Sequence, residues 1–404
     1  MEFFNGSITS PKGFLASGVY CGLRMNKTKK DLGLIYCKEG CISAALYTTN
    51  VVKGAPIAVT QKHLENNMAK AVIVNSGNAN TCNADGFEKA VKMCTAVAKE
   101  LNINASDVIV ASTGVIGQPL NIGAIESGIP LLASSLSKEG GRDVAEAIMT
   151  TDTCKKELAI KFELDGKEII ISAIAKGSGM INPNMATLLS FVTTDINISK
   201  PLLEKAFRDA VENSLNRVSV DGDTSTNDMA VIMASGLSGN NIIEAENEGY
   251  KLFYEALMLI MSGISKMVAK DGEGATKLII CELTGAVDTE SAKILSKSVI
   301  MSNLVKAAMF GKDANWGRIL CALGYSGVMF DETKVGASFV SKNGRVDVCK
   351  NGASVDFDEE YALAVLDADE ITIVVDMGSG AGRAFAYGCD LTYDYVKING
   401  SYRT

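Results

Sequence analysis

Lys176-Gly-Ser-Gly-Met-Ile-Asn-Pro-Asn-Met-Ala-Thr-Leu-Leu-Ser-Phe191 lies near the middle of a 404-residue chain. Two glycines and a proline follow a basic residue, and an Ala186-Thr187 step leads into an apolar run. Pro183 fixes its own φ and pushes Asn182 toward extended backbone, so the residues read against a helix. They predict a tight, exposed turn feeding a strand that begins at Thr187. A hydroxyl at the first position of a buried strand, just after such a turn, is well placed to act as a nucleophile. Taken alone, the stretch fits an ordinary glycine-rich turn into a core strand equally well.

Composition narrows the function classes. A chain of this length can hold two or three domains and a well-buried core. Hydrophobic residues make up 47%, charged residues 21%, and the net charge is -8. That describes a soluble globular protein without the clustered Lys and Arg of a nucleic-acid binder. The start, Met-Glu-Phe-Phe-Asn-Gly-Ser, lacks the basic and apolar regions of a signal peptide. No run approaches the ~18 apolar residues that span a membrane, so a cytoplasmic protein is expected. The ten cysteines are scattered singly and form no C-x-x-C, which predicts buried free thiols and neither a zinc ribbon nor a disulfide framework. The single histidine, His63, sits in polar Gln61-Lys-His-Leu-Glu-Asn-Asn67, read as a solvated helix face. A Ser-His-Asp triad and a His-ligated metal are therefore not expected, and the base of any acyl transfer is not an imidazole.

Patterns along the chain place the remaining candidates. Gly33–Cys37 and Ala44–Thr49 read as paired strands. Ala71–Val74 is a buried strand breaking into Asn75-Ser-Gly-Asn-Ala-Asn80. Phe87, Ala90, Val91, Cys94, Val97, Ala98 and Leu101 recur at helical spacing over Asp85–Leu101. Val72-Ile-Val-Asn-Ser-Gly77 and Val108-Ile-Val-Ala-Ser-Thr-Gly114 resemble each other, which predicts two similar strand-to-loop units whose backbone amides can point into a cleft. An amphipathic helix is expected after 140, then the polar cluster Thr150-Thr-Asp-Thr153 and strands over Leu158–Phe162 and Glu168–Ala175. Ser199 is placed to cap a helix burying Leu203, Ala206, Phe207, Ala210 and Leu215. Val220-Asp-Gly-Asp-Thr-Ser-Thr-Asn-Asp228 spaces its acids somewhat like a calcium loop, but Thr226 and Ile232 stand where Gly and Glu are needed. A long helix is expected over Glu244–Ala269, and a domain boundary near 285. Asp376-Met-Gly-Ser-Gly-Ala-Gly382 is followed by a strand pattern and not a helix, which excludes a dinucleotide fingerprint.

Seven of these motifs, taken in order over essentially the whole chain, resemble the ornithine acetyltransferase (glutamate N-acetyltransferase) family of arginine biosynthesis. They are the opening stretch, Asn75–Asn80, Ser112–Gly117, Val220–Asp228, Asp271-Gly-Glu-Gly-Ala-Thr276, Gly311-Lys-Asp-Ala-Asn-Trp-Gly-Arg318, and the tail Tyr387–Thr404. Tyr387 in place of Trp and Ser178 in place of Ala are small departures. The resemblance implies an α/β fold: a four-layer α/β/β/α sandwich core shared with self-processing aminopeptidases, plus an additional C-terminal α/β domain. The expected division is 1–285 for the core and 286–404 for the second domain, whose tail returns to the site. It further implies self-cleavage between Ala186 and Thr187 into chains 1–186 and 187–404, associating as a heterotetramer of two of each.

The chemistry follows from a terminal threonine. A freed Thr187 carries an α-amino group of pKa about 8, partly neutral at pH 7, which can take the proton of its own hydroxyl. That base exists only after cleavage, because in the uncut chain the same nitrogen is an amide. By resemblance, Thr113 and Gly114 stabilise the oxyanion, Thr113 bringing a hydroxyl besides its N–H. Thr150, Lys176, Thr187, Glu273, Asn399 and Thr404 are implied substrate contacts; charge suggests Lys176 for the substrate carboxylate and Glu273 for a distant ammonium. The implied reaction is a ping-pong transfer of acetyl from N2-acetylornithine to glutamate, without metal or organic cofactor. Two alternatives stay open: a bifunctional enzyme that also draws acetyl from acetyl-CoA, and an N-terminal-nucleophile aminopeptidase.

Overall fold

Apolar and small residues over Leu32–Tyr47 form a 16-residue strand that organises the first of two units. The computed structural model describes residues 1–182 and 188–401. Its first unit takes Met1–Gly177, the described residues up to Asn216, and Thr224–Ile264; the second takes Ser178–Asn182, Arg217–Asp223 and the chain from Ser265 onward. Numbered along the chain, the strands of the first unit are β1 (Glu2–Phe4), β2 (Phe14–Val19), β3 (Leu32–Tyr47), β4 (Met68–Asn75), β5 (Val108–Ser112), β6 (Lys156–Leu164), β7 (Lys167–Lys176), β8 (Leu189–Thr194) and β10 (Met229–Ala234). They run β1-β6-β7-β8-β10-β3-β4-β5, with β2 added on β3. The first part of β3 pairs with β2 and β4, and its last part pairs with β10. Its register shifts between Tyr36 and Cys41, where Gly40 adopts φ +88°, a conformation open to glycine at little cost.

One face of this sheet is buried throughout. Ile35 and Cys37 of β3, Val72 and Val74 of β4, Ile174 of β7, Phe191 of β8 and Val231 of β10 share a single apolar cluster. On the opposite face of β3–β5, Leu34, Ile73 and Val110 pack against helices Gly86–Leu101 and Ile122–Ser134. Leu158 of β6 stands opposite Ala173 and so faces away from the Ile174 cluster, toward Gly263 of helix Glu248–Lys270. These three helices thus share one side of the sheet. Only short helical pieces, around Ile57 and Leu64 and around Val144 and Ile148, join the inner cluster. Strands from β4 to β7 in the sheet order thus contribute to one inner cluster, in keeping with the expected α/β/β/α layering.

The second unit has its own sheet and core. Its strands are β9 (Val218–Ser219), β11 (Leu278–Ala286), β12 (Gly336–Ser341), β13 (Gly344–Lys350), β14 (Ala353–Ser354), β15 (Glu370–Asp376) and β16 (Gly382–Cys389), in the order β14-β13-β12-β15-β11-β16-β9. Ile279 and Cys281 of β11 and Ile373 of β15 pack on Leu295 and Val299 of helix Thr289–Met301. The boundary expected near 285 falls inside β11, whose pairing with β15 and β16 places it wholly in this unit, which resumes at Ser265. The glycine-rich turn after β15 leads into β16, a strand as read.

Several local expectations are refined. The helix read over Asp85–Leu101 spans Gly86–Leu101, but Phe87 in its first turn is 47% exposed, outside the buried stripe of Ala90, Met93, Cys94, Val97 and Ala98. Helix Lys200–Glu212 buries the face read for it, yet the Ser199 side chain makes no capping hydrogen bond. Helix Ile122–Ser134 was hidden by Pro130, which normally argues against a helix interior. None of the ten cysteines is in a disulfide, but Cys82, Cys154 and Cys321 are exposed and not buried as expected. Helix Glu248–Lys270 has the length and hydropathy of a membrane span, contrary to the expectation that no segment comes close. It packs as a core helix, with Phe253, Leu257, Ile260, Met261 and Ile264 buried.

Packing predicts a contrast between two phenylalanines. Phe207 is fully buried, so Phe207→Ala is expected to cost about 3–5 kcal/mol by leaving a cavity. Phe87→Ala should stay within about 0.5 kcal/mol, as surface changes do. Urea denaturation of both variants checks the difference.

Candidate active site

Two strand-to-loop units of similar sequence lie side by side in the first unit. β4 and β5 pair in parallel with Val72 opposite Ile109 and Asn75 opposite Ser112, so their following loops leave the sheet at the same end. Gly114 has φ +129°, and a Cβ there would stand 2.4 Å from the Gly77 carbonyl carbon. Only glycine fits this approach. The Thr113 N–H donates to Asn75 O at 3.0 Å and is occupied by that bond. The donors left for an oxyanion are the Gly114 amide and the Thr113 hydroxyl, which corrects the expectation that Thr113 supplies its backbone N–H as well. Asn227 ties the arrangement together, donating to Ala79 O and Ser112 O while accepting from the hydroxyls of Thr81 and Thr226. Neither its burial nor its partners are signalled by the acid spacing of its motif.

A buried carboxylate organises the other candidates of this unit. Asp152 accepts Lys156 Nζ at 2.6 Å, and both side chains are 0% exposed. It also accepts the Gly177 N–H at 2.7 Å and the Thr150 N–H at 2.8 Å. Burial alone would raise its pKa, but the ammonium groups of Lys176 and Lys156 and the Thr150 N–H outweigh burial and hold it at about 2. Lys176 is buried and is not a solvated surface charge. Asp228, one residue ahead of β10, is also buried. Burial pushes its carboxyl well above the usual range, against the Ser225 hydrogen bond and the Lys176 charge, and its Oδ2 has no hydrogen-bond partner. His63 is half-buried and not simply solvated, with Nδ1 2.7 Å from Val108 O.

In the second unit, Glu273 and Asn399 are brought together: Asn399 Nδ2 donates to Glu273 Oε2 at 2.8 Å. Glu273 N donates to Ser178 O at 3.0 Å, and a Cβ on Gly179 would stand 2.3 Å from the Glu273 carboxylate. Asp221, first of the spaced acids, accepts the backbone amides of Met180 and Ile181. Ala186, Thr187 and Thr404 lie outside the described residues, as does the start of the strand expected at Thr187; the described strand begins at Leu189.

The two buried aspartates predict stability changes of opposite sign. Asp152→Asn leaves Lys156 without its counter-charge and is expected to cost about 3–5 kcal/mol near pH 7. Because the folded pKa of Asp152 is depressed, its contribution is complete above the unfolded value of about 4 and is lost as pH falls toward 2. Asp228 has a raised folded pKa, so its carboxyl favours the fold in acid and loses that advantage as pH rises through the folded value. Asp228→Asn should therefore be neutral or stabilising near pH 7, and urea titrations across pH check both signs.

With this geometry in hand, comparison with known proteins is specific. The sequence matches the ArgJ family over residues 15–404. It is 52% identical over 401 residues to the arginine biosynthesis bifunctional protein ArgJ 1 of Clostridium acetobutylicum, covering 99% of this chain and 98% of that one. It is 45% identical over 401 residues to the ArgJ protein of Bacillus subtilis, covering 99% and 97%. Among solved structures, that of the argJ protein of Bacillus halodurans is 46% identical with a TM-score of 0.51, covering 54% of this chain and all of that chain. The chain belongs to the ArgJ family and is an enzyme of arginine biosynthesis.

Proposed function

We propose that the chain cuts itself between Ala186 and Thr187 and then transfers acetyl from N2-acetylornithine to glutamate through an acetyl-Thr187 intermediate. The observation that carries this reading is the match to the ArgJ family over nearly the whole length, motif by motif. Two further points support it. The solved Bacillus halodurans chain covers 54% of this one in full, the share that residues 187–404 represent. The only histidine is engaged at a backbone carbonyl, consistent with a base that cleavage creates.

In the first step the Thr187 hydroxyl oxygen attacks the Ala186 carbonyl carbon, and the peptide nitrogen leaves with a proton to become the Thr187 α-amine. Water then hydrolyses the ester, releasing residues 1–186 with a terminal carboxylate and restoring the hydroxyl. In turnover the α-amine takes the hydroxyl proton as the oxygen attacks the acetyl carbon, and passes it to the departing amine of ornithine. Glutamate's amine reverses these roles and leaves acetylated. The negative oxygen of each tetrahedral intermediate is received by the Gly114 amide and the Thr113 hydroxyl; removal of one such donor commonly costs about 3 kcal/mol, or ~100-fold in rate. Lys176 takes the substrate carboxylate and Glu273 the ornithine ammonium, with Thr150, Asn399 and Thr404 completing the contacts. The reaction needs no metal or organic cofactor. The two chains stay associated as a heterotetramer of two of each, in the cytoplasm.

A second reading adds acetyl-CoA as a donor for glutamate acetylation. It is favoured by the word bifunctional in the relatives' names. Initial rates with acetyl-CoA and glutamate, without acetylornithine, decide it.

The test of the proposal is Thr187→Ala. It removes the attacking oxygen, so the variant is expected to remain one 404-residue chain without acetylornithine–glutamate transferase activity, while the parent runs as two polypeptides on a denaturing gel. A parent that stays intact and fully active contradicts the mechanism.

A further inference from the structure

Ser178–Asn182 are flanked by stretches of the first unit, yet they belong to the second. The reason is a set of hydrogen bonds to residues that all follow 187 in sequence. Met180 N donates to Asp221 Oδ2 at 2.6 Å and Ile181 N to Asp221 Oδ1 at 2.9 Å. Val220 N donates to Ile181 O at 2.7 Å, and Asn182 Nδ2 to Gly222 O at 3.0 Å. Ser178 Oγ donates to Asp271 O at 2.7 Å, and Ser178 O accepts Glu273 N. Ile181 is buried, while Met180 holds φ +56° with its side chain 44% exposed.

Met180 makes no large packing gain in that left-handed conformation, which a side chain beyond Cβ rarely adopts. What fixes it is the carboxylate that takes two consecutive amides, one on each oxygen. Bonds to an ionised acceptor are about twice as strong as neutral ones. Asp221 is itself held: its Oδ1 also accepts Asp223 N at 3.1 Å, and the carbonyl of Val220 before it accepts Lys306 Nζ. The segment ahead of Pro183 is thus tied down residue by residue.

We propose that Asp221 is a positioning residue for self-cleavage, gripping the Met180 and Ile181 amides and so fixing the chain ahead of the Ala186–Thr187 bond. This rests on the cleavage assigned above. Attack of a hydroxyl on the preceding carbonyl needs a near-attack geometry, and a misplacement of about 1 Å costs on the order of 100-fold. Three residues separate Asn182 from Ala186, so the segment leading to the reacting atoms starts from an anchored end. Asp221 touches neither reacting atom; it acts through the backbone it holds.

The experiment follows freshly synthesised full-length chain as it converts to two polypeptides, for the parent, Asp221→Asn and Asn182→Ala. Acetyl transfer is then measured per cleaved molecule. Asp221→Asn puts an amide donor where an acceptor is required and is expected to slow conversion roughly 10- to 100-fold, with kcat/KM of the cleaved fraction unchanged. Asn182→Ala, which leaves Asp221 in place, should slow conversion less. Conversion of Asp221→Asn at the parental rate overturns the proposal, as does a parallel fall in conversion and turnover, which marks a general loss of structure. If Asp221→Asn does not fold, Asn182→Ala decides alone: slowed conversion supports the anchor and a parental rate overturns it. A parent that is not cut at 186/187 defeats the underlying cleavage reading, an outcome distinct from either.

Discussion

The carboxylate of Asp152 holds together groups that are far apart in the chemistry they serve. One side chain, wholly out of water, receives the Lys156 ammonium, the Gly177 amide and the Thr150 amide. An isolated buried charge is very costly; here two ammonium groups outweigh burial and keep it ionised. The consequence is positional. The end of β7, which carries Lys176, and the loop that carries Thr150 are fixed by the same acceptor. Two residues past Lys176 the chain enters the second unit, where Asp221 takes the amides of Met180 and Ile181. Two aspartates thus hold the backbone amides of Gly177, Met180 and Ile181, on the described stretch that precedes the proposed cleavage site.

Catalysis without an imidazole follows from the same economy of groups. His63 bonds to the Val108 carbonyl, and Asp152 and Asp228, both with shifted acidity, are buried. In the proposed mechanism the base for turnover is the amine that cleavage at Thr187 creates. On that proposal self-cleavage is a condition of activity.

Much of this was legible in the residues. The likeness of Val72–Gly77 and Val108–Gly114 predicted two similar strand-to-loop units; that these pair in parallel, with Asn75 beside Ser112, is what the structure adds. Gly114 was singled out only by resemblance, and its close approach to Gly77 is a feature of the structure. The helical spacing of Leu203, Ala206, Phe207 and Ala210 marked a face that is fully buried. Other features depend on burial or on long-range contact, which spacing does not encode. Asp152 stood in a cluster read only as polar, and Asp228 in a motif tested only for calcium. The Glu273–Asn399 bond joins residues 126 positions apart. The interleaving of the units through Ser178–Asn182 comes from hydrogen bonds that a local pattern cannot show. Thr113 was assigned a free amide because the β-ladder that takes it forms only when β4 and β5 align.

The central claim is that acetyl passes through the hydroxyl of a terminal Thr187. Mass spectrometry of the purified protein after a brief exposure to N2-acetylornithine without glutamate tests it directly. The account predicts two chains, with the one beginning at Thr187 heavier by one acetyl group, the addition mapping to Thr187 and disappearing when glutamate is added. Acetyl found on another residue, or glutamate acetylated with no modified chain formed, would contradict it.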